Sequence, residues 1–188
     1  MNVYDFDKTI YNGDSTLDFY FFCLKKKTLI LKKLPKQLYS AILYKLKKIS
    51  KTKFKECFYS FLTDLNNIDD LLKQFWNKNQ HKIKSFYLNQ KKDDDVIISA
   101  SPTFLLEPIC DKLNIKYLIA SKVDKHTGRY TGLNCYGEEK IRRFNEIFSN
   151  SSIDNFYSDS LSDAPIASLA KHAFLVSNNS IKKWKEDA

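Results

Sequence analysis

From Asp93 to the end of the chain, short apolar runs alternate with segments of helical character, and no other feature limits the fold as strongly. The runs are rich in β-branched and aromatic residues, as in Val96-Ile97-Ile98, which is typical of strands buried on both faces. Strands that alternate with helices form parallel sheets covered by those helices. We therefore predict an α/β fold with a doubly wound parallel sheet.

The periodicity of this region predicts each element. We expect strands at 95–99, 117–120, 155–158 and 173–176, helices at 102–113, 137–148 and 164–170, and a hairpin at 123–135 that turns near Gly128. Ser101 is expected to cap the first of these helices, with Pro102 at its first helical position.

The chain begins with a short apolar run at 2–4, followed by Asp5-Phe6-Asp7-Lys8-Thr9. Residues two apart in an extended chain point to the same side, so both carboxylates lean toward the exit of a strand. Paired carboxylates repel each other unless a cation or a shared proton relieves them. An oxygen-only set suits Mg²⁺, although a turn that happens to carry two Asp residues explains this segment equally well.

Residues 14–90 contain no convincing strand. Apolar residues recur at spacings of three and four, which predicts amphipathic helices at 17–26, in the region 28–50 with a new helix near Pro35, around Phe54, Phe58 and Phe61, and at 68–89. We interpret this stretch as a helical cap, 14–90, inserted into a core formed by 1–13 and 91–188. Its aromatic stripes are most simply the core of the helical bundle.

Charge divides the chain in the same way. Residues 25–92 hold 18 lysines and four acidic residues, a net charge of +14, while the remaining residues carry −5 of the total +9. A basic insertion above an acidic core indicates an anionic substrate or surface. Compositional preference for lysine is the alternative, since the chain has 28 Lys and three Arg.

Several classes of protein are disfavoured. No run approaches the roughly 18 apolar residues of a spanning helix, and a strand starting at residue 2 leaves no room for a signal peptide. Cys23, Cys57, Cys110 and Cys135 form no C-x-x-C pair, so we expect buried thiols in a cytoplasmic protein rather than a zinc site.

The predicted strand exits carry polar residues that a parallel sheet would gather at one edge. Asp5 and Asp7 follow the first strand, Ser99 ends the second, and Asp159 and Asp163 follow 155–158, while Lys140 opens the helix before it. Four carboxylates, a hydroxyl and an ammonium group at one edge indicate a Mg²⁺ site that receives an anionic ligand.

Taken together, these motifs resemble the haloacid dehalogenase superfamily, and in particular its phosphoserine-phosphatase-like branch, subfamily IB, which inserts a helical cap after the first strand. Asp5-Phe6-Asp7-Lys8-Thr9 matches the first motif and Ser99 the second. Lys140 matches the third motif, and Asp159 with Asp163 the fourth.

The resemblance implies a Mg²⁺-dependent phosphatase. Asp5 would be the nucleophile that forms an aspartyl-phosphate, and Asp7 the general acid and base. Asp5, the carbonyl of Asp7 and Asp159 would hold the metal, and Asp163 would support its water shell or Lys140. Ser99 and Lys140 would bind the phosphoryl group.

One departure from the branch concerns the substrate. Members that act on phosphoserine use a cap Arg to hold its carboxylate and an acidic residue soon after the first motif. Asp14 would supply the acid, but the cap has no Arg, and Phe61 stands near the expected place. Lys does not reproduce the bidentate guanidinium, so we expect a small phosphorylated substrate other than phosphoserine.

Two other functions remain open at this point. A lipid-phosphate phosphatase would make peripheral contact with an anionic membrane through the basic cap. A nucleic-acid-binding module would use the same lysines, but it leaves the ordered carboxylates unexplained, so nucleic acid is not the expected partner. The sequence does not determine the oligomeric state.

Overall fold

The computed structural model describes residues 1–149, 151–178 and 180–184. These residues form a six-stranded sheet in the order β3-β2-β1-β4-β5-β6, which confirms the predicted α/β fold. Its strands are β1 (Asn2–Tyr4), β2 (Val96–Pro102), β3 (Tyr117–Ser121), β4 (Ile153–Ser158), β5 (Ala170–Ser177) and β6 (Ser180–Lys183). The first five are parallel, and β6 runs antiparallel to β5.

Strand β1 lies at the centre of the sheet, between β2 and β4. Its successive residues point to opposite faces, because side chains alternate along a strand. Tyr4 stacks on Tyr157 at 4.8 Å between ring centroids, in the cluster that includes the cap. Val3 lies in the second cluster with Phe156 and Phe144. Strand β1 is therefore buried on both faces.

Three helices complete the core: α6 (Thr103–Lys112), α7 (Glu138–Ile147) and α8 (Ala164–Ala167). Helix α6 packs on the same face of the sheet as the cap, and α7 and α8 pack on the other.

The predicted cap region is helical. It contains α1 (Ser15–Lys26), α2 (Leu34–Lys45), α3 (Lys51–Tyr59), α4 (Ile68–Asn79) and α5 (Ser85–Gln90), with 3₁₀ turns at Thr28–Lys33, Ser60–Asp64 and Gln80–Lys82. The single helix predicted at 68–89 is wrong, because Ile83 is extended and forms a bridge with Tyr11 between α4 and α5. Within the described residues, no helix combines the length and apolar character needed to cross a membrane.

The two ends of the insertion lie side by side. The amide of Asn12 donates to the carbonyl of Lys82 at 2.8 Å, and the amide of Lys84 donates to Ile10 at 2.8 Å. One hydrophobic cluster continues from the sheet into the cap, so the division into 1–13, 14–90 and 91–188 stays a prediction.

The hairpin predicted at 123–135 is present as a short antiparallel pair. Val123 bridges Tyr130, and the amide of Asp124 donates to the carbonyl of Arg129 at 2.8 Å. In the turn between them, the Asp124 carboxylate accepts the amides of His126 and Thr127. Gly128 follows with φ 70°, and a Cβ atom there would lie 2.5 Å from the carbonyl oxygen of Tyr59.

Ser101 does not cap α6. It lies within β2, and Pro102 precedes α6 without a side-chain cap. The register of β2 against β3 shifts between Ser99 and Pro102. The strand includes Pro102, which was predicted to be the first residue of the helix.

Candidate active site

A cavity of about 440 Å³ opens where β1, β2 and β4 end, beneath the cap. The structure brings seven of the eight predicted site residues to its walls: Asp5, Asp7, Asp14, Ser99, Lys140, Asp159 and Asp163. Parallel strands explain this convergence, because their carboxyl ends share one edge. The roles of these residues stay predictions.

Lys140 is the buried centre of the charges. Its side chain enters from the first turn of α7 and is 1% exposed. Nζ lies 2.9 Å from Asp5 Oδ1 and 2.8 Å from Asp163 Oδ2. Burial would lower the pKa of Lys140, but the two carboxylates outweigh it and raise that pKa above its usual range. The ammonium group is therefore charged at neutral pH.

The two carboxylate oxygens of Asp5 differ in their hydrogen bonding. Lys140 binds Oδ1, whereas among the described residues Oδ2 has only a long contact with Thr9 Oγ1, at 3.5 Å. Burial raises the pKa of Asp5, and the neighbouring ammonium opposes this shift. The backbone of Asp5 is fixed by β4, because its amide donates to Tyr157 at 2.9 Å. Oδ2 is therefore the less strongly hydrogen-bonded oxygen of a residue that lines the cavity.

Asp7 is held through both of its oxygens. Oδ1 accepts the amide of Ser15 at 2.6 Å, at the start of α1, and Oδ2 accepts the hydroxyl of Ser101. Burial raises the pKa of Asp7 to about 6, and the nearby Asp14 carboxylate adds to the effect. A carboxyl group with this pKa can exchange a proton near neutral pH, as a general acid and base requires.

Two serines from β2 face this site. The Ser99 hydroxyl accepts the amide of Ser101 at 3.1 Å, and the Ser101 hydroxyl donates to Asp7. The sequence interpretation assigned Ser101 to the cap of α6 because Pro102 follows it, although its spacing of two from Ser99 is that of residues on one side of a strand.

Thr9 also belongs to the site and had no predicted role. Its hydroxyl accepts the amide of Asp159 at 2.9 Å. It thereby joins the loop after β1 to the loop after β4.

Asp163 is held by two contacts. Besides its ion pair with Lys140, it accepts the hydroxyl of Ser158 at 2.7 Å.

The cap covers the cavity with one face of α3. Four residues of this helix, at spacings of three, one and three, line the cavity: Lys51, Phe54, Lys55 and Phe58. Lys55 Nζ donates to the carbonyl of Ala100 at 2.8 Å. Burial lowers its pKa to about 8, and Lys51 adds to the shift. The sequence interpretation missed this mixed face, because the same helix also supplies aromatic residues to the cap core.

Phe61 was expected beside the substrate, and this expectation was wrong. Its side chain is 1% exposed and packs in the cap against Tyr20 and Phe58, with ring centroids 5.0 and 5.9 Å away. Asp14 does line the cavity, and it also caps α1 by accepting the amide of Leu17 at 3.0 Å.

The oxygen groups at this edge fit Mg²⁺. Among the described residues, no three acidic, histidine or cysteine side chains come close enough to hold a metal by themselves. The set implied by the resemblance instead combines the carboxylates of Asp5 and Asp159 with the carbonyl of Asp7. That carbonyl accepts no hydrogen bond within 1–149, 151–178 and 180–184, and burial raises the pKa of Asp159. Mg²⁺ accepts such sets with water in its other positions.

Known proteins resemble this chain in sequence and in structure. The family model of the haloacid dehalogenase-like hydrolases matches residues 3–168. A segment of 90 residues is 31% identical to a probable phosphatase of Mycobacterium tuberculosis (strain ATCC 25618 / H37Rv). This match covers 44% of the present chain and 31% of the relative, so the chain spans about a third of that protein's length.

Two solved structures share the fold. A Bordetella pertussis Tohama I protein of unknown function superposes with a TM-score of 0.72 at 17% identity, covering 92% of this chain and 87% of the other. A phosphoserine phosphohydrolase-like protein of Francisella tularensis subsp. tularensis SCHU S4 gives a TM-score of 0.54 at 19% identity, with coverage of 92% and 86%. Because the family model spans most of the chain and contains every predicted site residue, the protein belongs to the haloacid dehalogenase-like hydrolase family.

Proposed function

We propose that the protein is a Mg²⁺-dependent phosphatase that hydrolyses a phosphomonoester through an aspartyl-phosphate on Asp5. The observation that carries this proposal is the arrangement around Asp5. Asp5 and Asp7 line the same cavity, and Lys140 holds one oxygen of Asp5 while Thr9 makes a long contact of 3.5 Å with the other. A nucleophile, an acid and a buried cation are thereby combined.

In the first step, Asp5 Oδ2 attacks phosphorus and the bond to the leaving oxygen breaks. Asp7 donates its proton to that oxygen, so the leaving group departs as an alcohol. The Ser99 hydroxyl and the Lys140 ammonium stabilise the charge of the phosphoryl oxygens. Asp5 then carries the phosphoryl group, and Asp7 is a carboxylate.

In the second step, Asp7 removes a proton from a water molecule, whose oxygen attacks the phosphorus atom of the aspartyl-phosphate. The bond between phosphorus and Asp5 breaks, inorganic phosphate leaves, and Asp7 is protonated again. Asp5, Asp159 and the carbonyl of Asp7 would hold Mg²⁺, which when bound neutralises negative charge on the phosphoryl group.

The cavity favours an apolar leaving group over phosphoserine. Lys51 and Lys55 are its cap cations, no Arg is among the described residues that line it, and Phe54, Phe58 and Tyr136 form an aromatic wall. Lys51 Nζ lies 3.3 Å from the centroid of the Tyr136 ring. These groups attract a phosphate without the bidentate contact that a carboxylate prefers.

Phosphate release from an aryl phosphate tests the proposal. We expect activity that disappears with a chelator, returns with Mg²⁺ and is poorly supported by Ca²⁺, which prefers more ligands and a looser geometry. Asp5→Asn should reduce kcat by at least about 10⁴-fold, as removal of a nucleophile does elsewhere. Asp111→Asn, at an exposed position of α6, is the matched control and should be fully active.

Two results would contradict the proposal: a folded Asp5→Asn variant with normal activity, or full activity in chelator. The substrate preference is tested separately by comparing kcat/KM for phosphoserine with sugar, nucleoside and aryl phosphates. Phosphoserine should be at least tenfold worse than the best of these, because loss of a paired carboxylate-binding group costs about 2–5 kcal/mol.

A further inference from the structure

Helix α2 reverses the usual distribution of polar and apolar residues. Its fully buried positions are Gln37 and Ser40, whereas Leu38 and Ile42 are each 57% exposed. Exposed apolar residues continue at spacings of three and four along one face. This face, which we call the α2 stripe, consists of Leu31, Leu34, Leu38, Ile42 and Leu46.

Polar contacts fix the helix in this orientation. The Tyr20 hydroxyl donates to Gln37 Oε1 at 3.2 Å, and Gln37 Nε2 donates to the carbonyl of Phe58 at 2.8 Å. The Ser40 hydroxyl donates to the carbonyl of Gln37 at 2.8 Å. Since the buried polar groups are paired, rotating α2 to hide its leucines would break these bonds. The outward stripe is therefore specified by the sequence.

Unpaired lysines surround the stripe. No acidic residue occurs between Asp18 and Glu56, and within the part of the chain that the structure describes no ion pair engages the exposed lysines Lys32, Lys36, Lys45, Lys47 and Lys48. An apolar row with basic residues along its sides is the pattern of helices that lie in the interface of an anionic membrane.

We propose that the α2 stripe docks on the surface of an anionic lipid bilayer, with its leucines in the interfacial layer and its lysines near the headgroups. A second copy of the chain is a poor occupant, because a symmetric contact would bring both sets of lysines together. A nucleic acid would use the lysines but leave the leucines in water. The proposal concerns binding and does not depend on the proposed phosphatase activity.

The cavity lies on the other side of α2 from the stripe. Tyr44, near the end of α2, stacks on Phe54 with ring centroids 5.1 Å apart and ring planes 9° apart, and Phe54 lines the cavity. Tyr44 is two positions from both Ile42 and Leu46, and residues two apart on a helix point about 200° apart, so α2 lies between the α2 stripe and this wall of the cavity.

Co-sedimentation with vesicles tests the proposal, using equimolar phosphatidylcholine and phosphatidylserine against phosphatidylcholine alone. The full chain should bind the mixed vesicles and release them as salt rises. Leu38→Ser with Ile42→Ser should weaken binding by at least about tenfold, since each side chain contributes apolar burial. Replacing Lys45, Lys47 and Lys48 by Gln should weaken it on the order of 100-fold, because each lysine contributes about 1 kcal/mol near an anionic surface.

The matched control is Leu133→Ser with Ile147→Ser. It removes two exposed apolar side chains that lie outside the cap and should leave vesicle binding unchanged. Thermal unfolding should show that all variants are folded. Undiminished vesicle binding by the Leu38 and Ile42 variant would overturn the proposal. A dimer of the unmodified chain that dissociates in this variant would also overturn it. So would a chain that binds poly(U) RNA, with or without the two substitutions, and does not bind vesicles.

Discussion

The edge of the sheet and the outer face of α2 both place residues against their usual preference, but they differ in how the cost is met. At the edge, charged groups are buried, and Lys140 compensates Asp5 and Asp163 within the molecule. On α2, apolar groups are exposed, and the described residues offer nothing that covers Leu38 and Ile42.

This difference separates two kinds of unusual position. Buried charges persist only when other protein groups pair with them, so their contacts can be read from the structure itself. Single exposed apolar side chains are common in folded proteins, whereas a contiguous row of them indicates contact with something outside the chain. The following predictions test that contrast, from the largest expected effect to the smallest.

A Lys→Met substitution should have a large effect on stability at the edge of the sheet and almost none on α2. Lys140→Met leaves buried carboxylates uncompensated and should lower the free energy of unfolding by about 3–5 kcal/mol, together with loss of activity. Lys45→Met, on the exposed face of α2, should change it by less than about 0.5 kcal/mol. Urea unfolding of both variants measures the difference.

A second variant keeps this test informative if Lys140→Met does not fold. Lys140→Met with Asp163→Asn removes one of the two negative charges and should recover part of the stability without recovering activity. Equal stability of Lys140→Met and the unmodified protein would contradict a compensated buried cluster.

Asp7→Asn should affect chemistry more than stability. The Asn oxygen still accepts the amide of Ser15, and the Asn amide group donates to the Ser101 hydroxyl instead of accepting from it. The variant cannot donate a proton as an acid. Hydrolysis of alkyl phosphates should therefore slow by about 10²–10⁴-fold, while aryl phosphates, whose leaving groups need little protonation, should slow much less. An equal loss on both substrates would assign Asp7 to positioning alone.

The third comparison exchanges polar and apolar residues on α2. Gln37→Leu removes the partners of Tyr20 and Phe58 and should destabilise the protein by about 1–3 kcal/mol, although it buries more carbon. Leu38→Gln on the exposed face should change stability by at most about 0.5 kcal/mol. If Gln37→Leu stabilises the protein, the orientation of α2 is not set by its buried polar contacts.

The smallest effect concerns the charge beside Asp7. Burial and Asp14 raise the pKa of Asp7 to about 6, so the acid form is present below that pH and is lost as pH rises through it. Asp14→Asn removes one raising influence, which lowers this pKa and moves the basic side of the kcat profile to lower pH. Because Asn is also a good N-cap residue for α1, the free energy of unfolding should change little. A profile that stays in place would show that Asp14 does not act on Asp7.

The sequence predicted the parallel sheet and the convergence of its strand exits because buried strands and helices have different periods. The family match also confirms the predicted superfamily. Periodicity did not reveal β6, whose residues are mostly polar. It also missed the interruption at Ile83, because the bridge to Tyr11 depends on a residue far away in the chain.

Within the site, motif order located residues fixed by strand ends, such as Asp5 and Asp159. It failed for Ser101, because its pairing with Asp7 depends on how the loop after β1 meets β2. It failed for Phe61, because its burial depends on how the cap helices pack against one another. The magnesium ion, the substrate and a cytoplasmic location stay predictions.

The hydrogen bonds that join Asn12 to Lys82 and Lys84 to Ile10 make the cap an excursion that leaves the core and returns at the same place. Closing a loop costs conformational entropy that grows only slowly with its length, and here that closure is made at the base, independently of what the excursion contains. A core of this design can accept a change of length in the outer part of the cap. Trp76 and Tyr87, which pack against the core at Leu105 and Tyr4, would have to be kept or replaced by other apolar groups. Variation of the outer segment would then leave the strand ends in place.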